Sequence, residues 1–169
     1  TDRVKMANIA QIVNVLQSMI LTDTIGSGHM VLTPTYHVFS MYKDFQNATY
    51  LPMNVKTDSI SVEGGHMYKM EDGKIPAVSI SSAKKQDGTI VISLANTSLD
   101  QKQSVELTLD GAQPKKATGR ILTCKNITDY NDFQHPDVVS AVDFKDTKIK
   151  KNIVKIEVPA KSIIVVNLK

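Results

Sequence analysis

Two hydrophobic rhythms divide the chain. In the first fifty residues apolar side chains recur with helical spacing. Val4, Ala7, Ile9, Ala10, Ile12, Val13, Val15 and Leu16 cover most of the circumference of an expected helix. Asn8, Gln11 and Asn14 fall three apart and place their amides along one stripe of it. Met19 to Thr22 reads as a short buried strand of a parallel sheet. The loop Thr24-Ile25-Gly26-Ser27-Gly28-His29 follows Asp23. Thr33-Pro34 then sets a capping hydroxyl before proline at the first helical position. That second helix carries Tyr36, Phe39 and Lys43 on one side and continues its apolar face through Val38, Met41, Tyr42 and Phe45. It is expected to end near Gln46-Asn47-Ala48.

After Tyr50-Leu51-Pro52 a period of two takes over. Expected strands are Ser59 to Glu63, Ala77 to Ala83, Thr89 to Ala95, Ser104 to Leu109, Thr118 to Cys124, Ile153 to Val158 and Ser162 to Leu168. Gly64-Gly65, Glu71-Asp72-Gly73, Gln86-Asp87-Gly88 and Asp110-Gly111 punctuate them. The expected fold is mainly β: an antiparallel, jelly-roll-like β-sandwich over residues 51–169. A helix-strand-helix piece over residues 1–50, in the rhythm of a (β/α)8 barrel, precedes it. A helix apolar on nearly all sides needs layers on both sides, and these residues alone offer too few. The chain also opens on Thr1 rather than Met, so a processed or excised piece of a larger protein is expected.

Composition narrows the chemistry. The formal net charge of +3 is small and dispersed, which gives no case for nucleic acid. No apolar run reaches the roughly 18 residues of a membrane span, so no membrane partner is expected. Compartment stays open. Cys124 is the lone cysteine, which excludes an internal disulfide and a thiolate zinc site, and it reads as a buried, inert thiol. His29, His37, His66 and His135 are scattered without clustered partners, so neither metal nor other cofactor is expected. Gly26-Ser27-Gly28 lacks the lysine of a phosphate loop. Lys145, Lys148, Lys150 and Lys151 read as a solvated edge guard. Asn47-Ala48-Thr49, Asn96-Thr97-Ser98 and Asn126-Ile127-Thr128 match the glycosylation pattern, a weak signal alone. In a barrel the loops after strands build the active site, which makes Asp23 and His29 rim candidates. The plainer readings are a loop anchor and an exposed loop residue.

The stretch from Asp2 to Gln17, containing Ala10-Gln11-Ile12-Val13-Asn14-Val15, resembles the late barrel segment of the glycoside hydrolase family 51 α-L-arabinofuranosidases. Met30 to Tyr42 resembles that family's final barrel helix. Gly119-Arg120-Ile121-Leu122-Thr123, Asn131 to Val139, and the closing Val158 to Val166 agree in order. The resemblance implies retaining hydrolysis of terminal arabinofuranosyl groups of arabinan and arabinoxylan, by two glutamates about 5–5.5 Å apart. It sets both glutamates on earlier barrel strands. Glu63, Glu71, Glu106 and Glu157 all fall in the expected sandwich, so this chain is expected to hold no catalytic residue. It implies that Gln11 contacts the arabinofuranose, its amide both donating to and accepting from sugar hydroxyls. His29 follows as an expected leaving-group-side contact. The implied partners are an arabinofuranosyl oligo- or polysaccharide, the upstream remainder of the barrel, and further copies in a homo-oligomer. A stand-alone carbohydrate-binding or assembly sandwich is the alternative. Against sugar binding by the sandwich, Trp is absent and only Tyr68, Tyr130, Phe133 and Phe144 could offer stacking rings.

Overall fold

The computed structural model describes residues 8–10, 12–62 and 73–169. Gln11, Glu63, His66, Tyr68, Glu71, Gly64-Gly65 and the start of the expected first helix lie outside them. In chain order the elements are β1 (Ile20–Thr22), β2 (Met30–Leu32), α1 (Pro34–Tyr42) with a 3-10 turn (Lys43–Phe45), and β3 (Thr49–Tyr50). There follow β4 (Ser59–Val62), β5 (Gly73–Pro76), β6 (Val78–Lys84), β7 (Ile90–Asn96), β8 (Gln103–Thr108) and β9 (Ala117–Thr123). The last are β10 (Val142–Phe144), β11 (Thr147–Lys150), β12 (Ile153–Val158) and β13 (Ser162–Leu168).

These strands build an antiparallel sandwich. One sheet runs β10-β9-β13-β7-β6-β3 and the other β11-β12-β8. Alternation sets the faces. Ile164, Val166 and Leu168 of β13 meet Ile90, Ile92 and Leu94 of β7 on the inner side. There they join Val154, Ile156 and Val158 of β12, all wholly buried. Each such side chain stabilises the fold by about 1.5–3 kcal/mol. Lys148 and Lys150 stand exposed on β11, the free edge of the smaller sheet, where an ammonium discourages pairing with another chain. The hairpin at Lys85 to Thr89 closes on Gly88, whose φ of 85° suits glycine.

The six-stranded sheet is covered on its outer side too. Val91, Leu122 and Val165 point outward and pack under Met41 of α1, with Val38 and Phe45 beside it. Cys124 is partly buried in the same cluster. Asp44 accepts from Lys85 Nζ and from Asn167 Nδ2, each at 2.6 Å, and pins the end of the helix to the sheet. Burial opposes ionisation of Asp44, but the Lys85 ammonium and the Asn167 amide outweigh it and lower the carboxyl below its ordinary range. Phe39 and Tyr42 face away from the sheet and remain exposed.

The first expected helix is not helical where it is described. Residues 12–19 form a turn closed by Met19 N donating to Ile12 O (2.9 Å) and a parallel bridge between Val13 and Ile20. Asn14 and Gln17 take φ of 54° and 59°, a left-handed conformation that no helix interior accommodates and that Asn tolerates best. The Asn14 amide donates to Thr22 Oγ1 (2.8 Å) and accepts from Thr22 N (2.7 Å). The β-branched Ile12, Val13 and Val15 are stiff at χ1 and favour extended chain. β1 pairs antiparallel with β2 rather than in a parallel sheet. Thr33 does not cap α1 with its side chain; its hydroxyl donates back to Ser18 O at 2.7 Å.

Candidate functional site

The rim candidates lie on the β1–β2 hairpin. Its antiparallel register sets Thr22 opposite Met30, leaving residues 23–29 as the loop. Asp23 organises that loop. Its Oδ1 accepts from the backbone of Gly26 (3.1 Å) and Ser27 (3.2 Å), and its Oδ2 accepts from the Ser27 hydroxyl. That hydroxyl foremost, with the two backbone donors, holds the Asp23 carboxyl below its ordinary range against the opposing effect of desolvation. Asp23 N donates to His29 O at 3.3 Å and closes the turn. A carboxylate with this many internal donors anchors a loop; it is not a free base. His29 is exposed, as are Ile25 and Met30, so its imidazole is open to a ligand approaching the hairpin. Gln11 lies outside the described residues, one peptide bond before Ile12.

The hairpin is rooted from below. Thr33 N donates to Met19 O (3.0 Å), and Ser18, only 3% exposed, is held through its carbonyl by the Thr33 hydroxyl. From the sandwich, Asn131 Nδ2 donates to Leu32 O (2.8 Å) and Val139 O (2.9 Å), and its Oδ1 accepts from Val139 N (2.8 Å). Sequence patterning does not single out Asn131 for this role. The Asn131-Asp132-Phe133 run reads as loop, and the contact spans 99 residues.

His37 sits on the sheet-facing side of α1, its ring 5.5 Å edge-on from that of Tyr36. Its Nε2 is buried and, among the described residues, lacks a hydrogen-bond partner. Burial first, then the Arg120 guanidinium, push its pKa below the ordinary histidine value, while Asp137 opposes them.

The described glutamates are not arranged for hydrolysis. Glu106 pairs with Lys155 at 2.8 Å and Glu157 with Lys102 at 3.7 Å, all four well exposed on the smaller sheet. Phe144 is buried in the core, while Tyr130 and Phe133 are exposed, as is Tyr50 on the edge strand β3. Asn96 is buried, and its Nδ2 donates to three backbone carbonyls, so in the folded state that sequence match offers no free amide to glycosylation. A cleft of about 930 Å³ opens between the sheets, lined by residues 51–58, β6 and β8 among others, and shares no residue with the hairpin. Among the described residues no three His, Cys, Asp or Glu side chains gather as metal ligands, and no helix is long and apolar enough to cross a membrane.

A family model described as the α-L-arabinofuranosidase C-terminal domain matches residues 1–162. An intracellular exo-α-L-arabinofuranosidase of Bacteroides ovatus is 48% identical over 168 residues, covering 99% of this chain and 31% of that protein. The family 51 arabinofuranosidase of Xanthomonas axonopodis pv. citri superposes with a TM-score of 0.86 at 40% identity, over 99% of this chain and 32% of that one. The arabinose complex of the Thermotoga maritima enzyme shares the fold, with a TM-score of 0.82 at 24% identity, over 98% of this chain and 34% of that one. The chain thus spans about a third of the length of these relatives. An antiparallel sandwich with a helix on its outer face, matched over residues 1–162 by the family model, belongs to the α-L-arabinofuranosidase C-terminal domain family and corresponds to the C-terminal portion of the family 51 glycoside hydrolases.

Proposed function

We propose that the parent protein is a retaining exo-α-L-arabinofuranosidase that removes terminal arabinofuranosyl groups from arabinan and arabinoxylan. The observation that carries this reading is the 48% identity, over 99% of the chain, to a protein named for that activity. Residues 1–50 are the end of its catalytic barrel and residues 51–169 the sandwich that braces it. The packing of Met41 on Val91, Leu122 and Val165 supports the bracing role. Both catalytic glutamates lie upstream, and Gln11 binds the arabinofuranose, with His29 toward the leaving group. The exposed Ile127, Tyr130, Val138 and Val142 offer apolar surface for homo-oligomer formation.

The test compares the full-length parent with this chain on 4-nitrophenyl α-L-arabinofuranoside. The parent is expected to release arabinose with retained anomeric configuration, and this chain to release none. An inert, folded parent refutes the activity. Release by this chain alone at enzyme-like rates refutes the upstream placement of the carboxylates.

A further inference from the structure

α1 is seated on the outer face of the six-stranded sheet through Met41, which packs on Val91, Leu122 and Val165. His37 lies four residues before Met41 and so on the same side of the helix. Beside the apolar seat its surroundings are charged. Arg120 precedes Leu122 by two on β9, which sets both side chains on the outer face, and it stands opposite Val165 of β13. Its guanidinium donates to Ala141 O at 2.7 Å, at the rim of the same cluster. Asp137 belongs to the loop whose Val139 is buried in that cluster. Burial acts first on His37; of the charges that reach it among the described residues, Arg120 from the sheet outweighs Asp137 from the loop. Tyr36 meets the ring from its own helix. β2 and β13 also pack against α1 and carry no charged side chain. Past the end of the helix Lys43 is exposed and Asp44 is paired with Lys85.

Nε2 of His37 is buried and, among the described residues, unpartnered. In a neutral ring one nitrogen is a bare acceptor, and Nε2 can fill that part while Nδ1 carries the proton. Protonation turns both nitrogens into donors. Nε2 then bears a charged N–H without an acceptor, within reach of a guanidinium, and a buried unsatisfied group costs most when it is charged. We propose that the seat of α1 is an acid-sensitive latch with His37 as its catch: the neutral ring lets the helix lie on the sheet, and the protonated ring lifts it off so that Nε2 reaches water. Met41 leaves Val91, Leu122 and Val165 in the same movement, while the inner core of β7, β12 and β13 contains no residue of α1 and stays closed. In the lifted state the ring titrates near its ordinary value of about 6.5; in the seated state burial foremost holds it lower. The seat is therefore complete above a pH of about 6.5 and weakens as pH falls below it. Asp44, the other pin of the helix, has a carboxyl below its ordinary range and stays ionised throughout, so it adds nothing to the change.

Hydrogen exchange of this chain, read by mass spectrometry at pH 7.5 and 5.5, tests the latch. Exchange of the α1 amides is divided by the intrinsic rate at each pH, which leaves the frequency of opening. The corrected rate is expected to rise about threefold or more on acidification, toward the ceiling of about tenfold that one histidine released at a pKa of about 6.5 sets over this interval. At both pH values α1 is expected to open at least about tenfold more often than β13, because the helix lifts without the sheet. In His37→Gln, which cannot be protonated, the rise is expected to stay under about twofold; His37→Asn takes its place if that variant does not fold. A rise as large in the amide variant as in the native chain, no rise in the native chain, or equal opening of α1 and β13 overturns the latch.

Discussion

Replacing Asn96 with alanine removes the clasp between the two sheets at one end of the sandwich. Asn96 ends β7 with its side chain turned inward. Its Nδ2 lies 2.9 Å from Gln101 O, 3.1 Å from Val158 O and 3.0 Å from Pro159 O, and its Oδ1 accepts from Ser98 N at 3.0 Å. Two protons serve three carbonyls, so at any moment two donations are strong, and with the Ser98 bond the side chain makes about three. At about 1 kcal/mol each, Asn96→Ala should cost about 3 kcal/mol. Asn96→Asp separates hydrogen bonding from shape. It keeps the acceptor for Ser98 N but turns a carboxylate toward three carbonyl oxygens, which raises its folded pKa above the unfolded value of about 3.9. The folded state then binds the proton more tightly, so the stability of Asn96→Asp falls as pH rises through the carboxylate range and levels off above the folded pKa. Asn96→Ala should show no such added pH dependence. Urea unfolding of this chain, followed by far-UV circular dichroism, reads both effects. With a slope of about 2 kcal/mol per molar, the alanine midpoint should fall by about 1.5 M at neutral pH. A shift under about 0.5 M at unchanged slope, or parallel pH profiles for the two variants, would refute the argument.

Two further outcomes follow from the fold. Protonation of His37 is disfavoured by burial and by Arg120, so its folded pKa lies below the unfolded value of about 6.5. Stability should be complete above pH 6.5 and decline as pH falls below it; wild type should lose more urea resistance between pH 7.5 and 5.5 than His37→Gln. At Gly119 a Cβ would lie 3.1 Å from Val165 O, 3.2 Å from Val166 Cγ2 and 3.4 Å from Phe144 Cδ1. Gly119→Ala should therefore overpack the joint of β9, β13 and β10 and cost about 1–3 kcal/mol, seen as a lower Tm, whereas an unchanged Tm would show that the strands part freely.

Where packing obeys a simple period, the sequence is legible. Ile153 to Val158 and Ser162 to Leu168 match the expected strands end for end, because the inner face of each is core and the second is buried on its outer face as well. β10 and β11 are three and four residues long, too short to show a period, and they escape notice. The opening stretch misleads because its apolar positions fit a helix while Asn14 and Gln17 adopt left-handed backbone. That depends on the pairing of Val13 with Ile20, a choice made by neighbours and not by propensity. The site is less legible still. Asp23 declares itself by its place after a strand, and the structure gives it the plainer duty of loop anchor. Gln11 stands out through resemblance, since a lone glutamine carries no periodic signal. Asn131 has no local signature, as its partner Leu32 lies in the other part of the chain.

β13 is translated after all the other described strands, yet it occupies the middle of the six-stranded sheet, between β9 and β7. Until residues 162–168 leave the ribosome, β7 and β9 face an empty lane with their pairing groups exposed. At elongation rates of about 5–20 residues per second, the interval from β9 to β13 lasts several seconds, time in which a nascent edge can recruit a neighbour's strand. Closure of this sheet therefore waits for β13, the last of the described strands to be made. Yield should depend on chaperone supply during that interval and on how freely that strand can insert between its two neighbours.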